Sequence, residues 1–191
     1  MRKINMSPRE IVLCMLGESG GSIKGKTKLQ KRGYFLSLRI DHDLGYKPHY
    51  YGPFSPTIDS AISELKALGF VEERIDRFGA AGDQGFEIKR FEYVLTEDGK
   101  SVIEVLKQSK SKDYSLVSTA LAKVAGNHEP DYVVQSVAAK AIFILKQQKK
   151  PMNSQQIREE AKKFDWNVSA ENLNKAVEYL RKIELVSLSG K

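Results

Sequence analysis

Apolar positions recur every three to four residues over most of this chain, and that period predicts helices. The first opens at Ser7-Pro8-Arg9-Glu10: Ser7 caps, Pro8 suits the first turn, and Glu10 completes a capping box. Ile11 to Leu16 is its apolar run, and Gly17 to Gly21 ends it. The second runs from Lys24 to about Asp41. Winding it at 100° per residue puts Leu29, Leu36 and Ile40 on one stripe, with Gly33 beside them. Ser55-Pro56 starts a third helix, with Ile58, Ala61, Ile62, Leu65 and Leu68 inward and Gly69 at its end. The rhythm then changes. Phe70 to Ile75 predicts a short strand, Asp76 to Gly85 a glycine-rich hairpin tip carrying Arg77, and Phe86 to Leu95 the return strand. Apolar parity shifts between Phe86, Ile88 and Phe91, Tyr93, Leu95, which predicts a bulge near Lys89-Arg90. Thr96 caps a fourth helix.

The second half repeats the idea in shorter form. Gln108 to Lys112 reads as a polar joint. Helices follow over Asp113 to Val124, Tyr132 to Gln147, Ser154 to Phe164 and Ser169 to Lys182, then a short strand at Leu185 to Leu188. Trp166 is a core plug between the last two helices. Three helices, a hairpin and a helix are the order of a winged helix-turn-helix domain. The expected fold is therefore mainly α: tandem winged helix-turn-helix domains with a small β-hairpin wing, a winged-helix domain at 1–110 and a helical helix-turn-helix domain at 111–191.

Charge sharpens the picture. The 191 residues carry +7 overall, and residues 1–40 alone hold nine Lys/Arg against Glu10 and Glu18. Residues 41–191 balance. The excess sits on and just before the second helix: Lys24, Lys26, Lys28, Lys31, Arg32 and Arg39, with Phe35 among them. A localised positive face attracts polyanions. The alternative is an ordinary solvated face.

Several motifs offer other chemistry. Gly20 to Thr27 formally fits the phosphate-loop spacing G-x-x-x-x-G-K-[ST]. A helix precedes it and no parallel βα pattern surrounds it, so no nucleotide site is expected. An anion at the start of the basic helix fits better, and in a DNA reading it is a backbone phosphate. Asp41-His42-Asp43 could suggest a metal, but no second cluster supports one. Tyr46 to Phe54, with two prolines and a glycine, reads as a packed aromatic loop, or else as an aromatic platform for a ligand. Cys14 lies in an apolar run as a small core residue. No nucleophile–base–orienter set is visible, so neither an enzyme nor a cofactor is expected. No apolar run approaches a membrane span, and the charged start is no signal peptide, so a cytoplasmic chain is expected.

Lys26-Thr27-Lys28-Leu29-Gln30-Lys31, Tyr34-Phe35, Tyr51-Gly52-Pro53-Phe54-Ser55 and Leu65 to Val71 resemble the YwgA-like winged-helix families. The antitoxin-associated Panacea proteins share a similar Lys-Leu-Gln-Lys and Tyr-Gly-Pro pattern. Leu95-Thr96-Glu97-Asp98-Gly99-Lys100 resembles the strand-to-helix exit of winged-helix transcription regulators. The resemblance covers about residues 5–107 and implies a winged-helix fold. Arg32-Gly33 departs from it, standing where such proteins carry apolar residues, which implies a more exposed basic helix here.

As a reader of base edges, the third helix is poor, since it presents Asp59 and Glu64. The last helix presents Asn172, Asn174, Lys175, Glu178, Arg181 and Lys182, a better set. The leading expectation is a homodimeric, double-stranded-DNA-binding transcriptional regulator. Its alternative is a non-catalytic interaction module, antitoxin-like or a defence-system subunit, with a protein partner.

Overall fold

The computed structural model describes residues 4–78, 88–126 and 129–187, without the side chains of residues 76–78 and 88–90. Within these, eight helices accompany a three-stranded antiparallel sheet. The elements are α1 (Pro8–Gly17), β1 (Ser22–Lys24), α2 (Lys26–Arg39), α3 (Pro56–Ala67), β2 (Val71–Phe78), β3 (Ile88–Leu95), α4 (Glu97–Ser109), α5 (Ser111–Val124), α6 (Tyr132–Gln148), α7 (Ser154–Lys162) and α8 (Ala170–Lys182).

Local chemistry sets most boundaries. Ser7 and Glu10 form the expected capping box, and Ser55, Thr96 and Ser169 each accept an amide proton from the first turn they cap. For α7 the cap is Asn153, boxed with Gln156, one residue before the expected Ser154. The strand β1 was not expected. It pairs antiparallel with β3 (Ile23 opposite Tyr93), so the sheet order is β1-β3-β2. Between β2 and β3 the register runs one-to-one from Val71–Leu95 to Phe78–Ile88, which excludes the expected bulge at Lys89-Arg90. Along the described part of the hairpin, burial falls away before its tip. Ile75 is already half exposed. The tip at 79–87 lies outside the described residues, as does the side chain of Arg77. Leu185 to Ser187 form no strand; Leu185 and Val186 pack against the second core instead. Leu188 lies outside the described residues.

Two apolar clusters fill the molecule. The first joins α1, α3, the sheet, α4 and α5; the second joins α6, α7 and α8 with Trp166. Across 108–112, the expected joint, the chain is helical on both sides. Only Lys110 separates α4 from α5, and Tyr114, Val117 and Leu121 of α5 belong to the first cluster. Lys110 also pairs with Glu10, and Tyr114 donates to Glu18 at 2.7 Å, tying α5 to α1. The helix α2 serves both clusters: Leu29, Leu36 and Ile40 enter the first with the turn after it, Tyr34 and Phe35 the second.

Gly99 explains the strand-to-helix exit. A Cβ there would clash with the Phe70 carbonyl oxygen, because α4 starts directly against the turn between α3 and β2. Gly99→Ala is expected to destabilise by about 1–3 kcal/mol despite alanine's better helix propensity, because backbone cannot yield as a side chain can. Denaturant unfolding checks this; an unchanged midpoint contradicts it.

Candidate functional site

The basic helix α2 is the natural place to build a site. Its N-cap, Gly25, has φ 92° and offers no side-chain cap, while its own amide donates to Phe91 O at 2.6 Å. This anchors the helix start to β3. The phosphate-loop spacing at Gly20 to Thr27 therefore contains a strand, β1, in an antiparallel sheet, instead of following a parallel one. Its lysine is engaged elsewhere: Lys26 Nζ lies 2.6 Å from Asp59 on α3 and 5.5 Å from the Phe54 ring centre.

Further along α2, the expected open positive face turns inward. Arg32 is buried. Its guanidinium forks onto Glu129 (2.7 and 2.5 Å) and donates to Ser19 Oγ at 2.6 Å. Lys28 reaches the same carboxylate at 3.0 Å. Burial alone would raise the Glu129 carboxyl, but hydrogen bonds from Arg32 and Lys28 hold it below its ordinary range. Arg39 donates to the Ile183 carbonyl and pairs with Glu184, which Lys123 also holds. Lys31 is only 3% exposed and donates to the Pro53 carbonyl at 3.0 Å. Burial, and then the nearby Lys140, lowers its ammonium to about 7. The greater exposure implied by Arg32-Gly33 is thus reversed. A Cβ on Gly33 would meet the Tyr46 hydroxyl at 2.5 Å; the bare glycine lets Tyr46 pack over α2 and donate to Gln30 O.

Of the other expected contacts, Lys24 is exposed, and Lys175 pairs with Glu171 within α8. Asn174, Arg181 and Lys182 are exposed, and Asn172 partly so. Lys24 precedes α2, whereas α8 ends beside its far end, where Arg39 meets Ile183 and Glu184. A helix of 14 residues spans about 21 Å, so these cations form separate patches rather than one face.

The segment from Tyr46 to Phe54 is a strap laid across both clusters. Lys47 and Phe54 bridge its ends. Trp166 Nε1 donates to His49 O at 2.7 Å, Ser136 Oγ to Tyr51 O at 3.3 Å, and Lys31 to Pro53 O. Tyr46 packs inward, but Tyr50 and Tyr51 are 68% and 65% exposed and meet edge-to-face. Tyr132, one helical turn before Ser136, is 72% exposed. Lys47 is exposed and Lys140 half-buried nearby, neither in an ion pair among the described residues. Sequence reasoning singled out the loop but missed Glu129, Tyr132 and Lys140. A lysine within Ala-Ala-Lys-Ala-Ile was the one available signal.

Elsewhere, Cys14 is buried, and burial pushes its thiol up to about 12, so it stays protonated. Among the described residues no helix is long and apolar enough to cross a membrane.

No family model matches this chain. It is similar to the uncharacterized protein YwgA of Bacillus subtilis (strain 168), at 32% identity over 85 residues. That match covers 44% of this chain and 47% of the relative, so the chain spans about half the length of the curated relative it matches. It gives weak support to the YwgA-like part of the resemblance.

Proposed function

We propose that this chain is a non-catalytic docking module of winged-helix type that binds a protein partner through the strap. One observation carries this reading: the basic residues of α2 are engaged within the chain, Arg32 and Lys31 in its interior on Glu129 and the Pro53 carbonyl, Lys26 and Arg39 nearer the surface on Asp59 and Glu184. Charge used to hold two cores together is not available to neutralise phosphates. The strap supplies what a protein interface needs. Tyr50, Tyr51 and Tyr132 are large, exposed and held on an anchored backbone, and tyrosine is enriched at interface hot spots. With Lys47 and Lys140 beside them, the partner's face is apolar at its centre and acidic at its rim.

The element order helix–strand–helix–helix–strand–strand favours a second reading, a winged helix on double-stranded DNA. In it Lys24, Arg77, Arg181 and Lys182 contact phosphate, and the protein is a homodimeric, cytoplasmic transcriptional regulator.

Two measurements separate the readings. Affinity capture from the source cells is run with wild type and with Tyr50→Ala/Tyr51→Ala. A stoichiometric partner held by wild type and lost by the folded variant supports docking. Fluorescence anisotropy with a random duplex is run across salt concentrations. Saturable binding whose log–log salt slope falls by about 0.9 for each of Lys24 and Arg181 replaced by alanine overturns docking in favour of DNA.

A further inference from the structure

A cavity of about 340 Å³ opens where α2, the turn after it and the end of α6 meet. Its size suits a small metabolite. Tyr34, Tyr46 and Phe143 give it an aromatic wall: the Tyr34 ring lies 4.8 Å from that of Tyr46 and 6.4 Å from that of Phe143, centre to centre. Asp41 and Asp43 stand on one side of the lining, from the turn, and Lys146 on the other, from α6.

Two features are unexplained by folding alone. Tyr34 is 96% buried (4% exposed), yet its hydroxyl has no hydrogen-bond partner among the described residues. The hydroxyls of Tyr46, Tyr114 and Tyr179 are satisfied by Gln30 O, Glu18 and Val124 O. The Tyr34 hydroxyl is not sealed from solvent; it belongs to a residue lining the cavity, where a ligand oxygen can accept its proton. Second, the lining carries charges of both signs that do not meet. Lys146 and Asp41 have no ion-pair partner among the described residues, although they line one cavity. Asp43 accepts only the Gly45 amide, at 2.8 Å.

We propose that this cavity binds a free α-amino acid with an aromatic or large aliphatic side chain. The ammonium has three protons to donate, and Asp41 and Asp43 accept them. The carboxylate lies towards Lys146 and accepts from the Tyr34 hydroxyl. The side chain packs on the Phe143 and Tyr46 rings. Neither carboxylates nor lysine alone would select this class; the two signs across an aromatic wall do. The site is separate from the strap's exposed tyrosines and stands whether or not a protein partner docks there.

The test is a heteronuclear NMR titration of the full chain with L-phenylalanine, L-leucine, phenethylamine and phenylacetate. The expected result is saturable shifts at residues 34–46 and 143–147 with L-phenylalanine. Phenethylamine and phenylacetate, each lacking one charge, should bind about tenfold more weakly or worse. Lys146→Met should bring L-phenylalanine down to the affinity of phenethylamine. Tyr34→Phe removes only the unpartnered hydroxyl, so it should keep the fold and weaken L-phenylalanine by about tenfold. The proposal is overturned if neither amino acid shifts these residues at about 10 mM. Phenethylamine binding as tightly as L-phenylalanine overturns it too, as does a folded Tyr34→Phe or Lys146→Met variant with unchanged affinity.

Discussion

Glu129→Ala is expected to lower the melting temperature by on the order of 10 °C. Among the described residues the Glu129 carboxylate is the only acid paired with Arg32, whose side chain is 9% exposed, and it also holds Lys28. Removing one partner of a buried pair strands the other charge, at a cost of about 3–5 kcal/mol. For a chain of this size each kcal/mol shifts the melting temperature by roughly 2–4 °C. Ser19 Oγ still accepts from Arg32, but a neutral oxygen does not replace a carboxylate. The double variant Arg32→Met/Glu129→Met should recover most of the loss, since it leaves no buried charge. The pH dependence carries a sign. The folded carboxyl lies below its ordinary 4.5, so its contribution is complete above that value and lost as pH falls through the folded one. Calorimetry on the three proteins checks all of this. A single variant melting within about 2 °C of wild type contradicts the pairing.

Lys31→Met is expected to act in the opposite direction and to stabilise the protein at neutral pH. Wild type buries an ammonium against one carbonyl, with Lys140 nearby. Its folded value of about 7 lies below the ordinary 10.5, so between them the unfolded chain binds a proton that the folded chain does not. Stability therefore rises with pH across that window, by at most about 1.4 kcal/mol per pH unit. Near and below pH 7 the full penalty applies. Above about pH 10 the trend reverses, because burial raises Tyr34, Tyr46 and Tyr179, and the unfolded chain loses phenolic protons first. Methionine keeps the length and removes the charge. The variant should melt higher at pH 7, lose the rise between 7 and 10, and keep the alkaline fall. Melting curves from pH 6 to 11 test it; a rise in Lys31→Met equal to wild type's would assign the effect to another group, Lys140 first.

What the sequence makes legible follows from how far each interaction reaches. Caps act within one turn, so Ser7, Ser55, Thr96 and Ser169 could be read directly. The strand β1 could not. It is three residues long with Ile23 its sole buried side chain, and it exists because β3, about seventy residues away, lies beside it. Charge is the harder case. The spacing of Lys28, Lys31, Arg32 and Arg39 was legible, but the groups facing them were not. Glu129 is 97 positions from Arg32, and Glu184 is 145 from Arg39. Composition had counted these acids as balancing the second half, whereas they balance the first. Lys31 lies deeper still, since nothing local distinguishes it from Lys28. Glycines were legible as breaks but not as gaps for neighbours, and so Gly33 suggested exposure where Tyr46 closes over it.

The strap over α6 is fastened by oxygens that every amino acid carries. The Trp166 indole, the Ser136 hydroxyl and the Lys31 ammonium all reach main-chain carbonyls, of His49, Tyr51 and Pro53. The side chains at 50 and 51 make none of these bonds, while the His49 ring packs on Phe54 at the strap's end. Positions 50 and 51 are therefore open to exchange without the loop losing its course, as the tips of antibody loops are on a fixed framework. Substitution at 50 and 51 can alter the exposed face of the strap, residue by residue, and leave the fold beneath untouched.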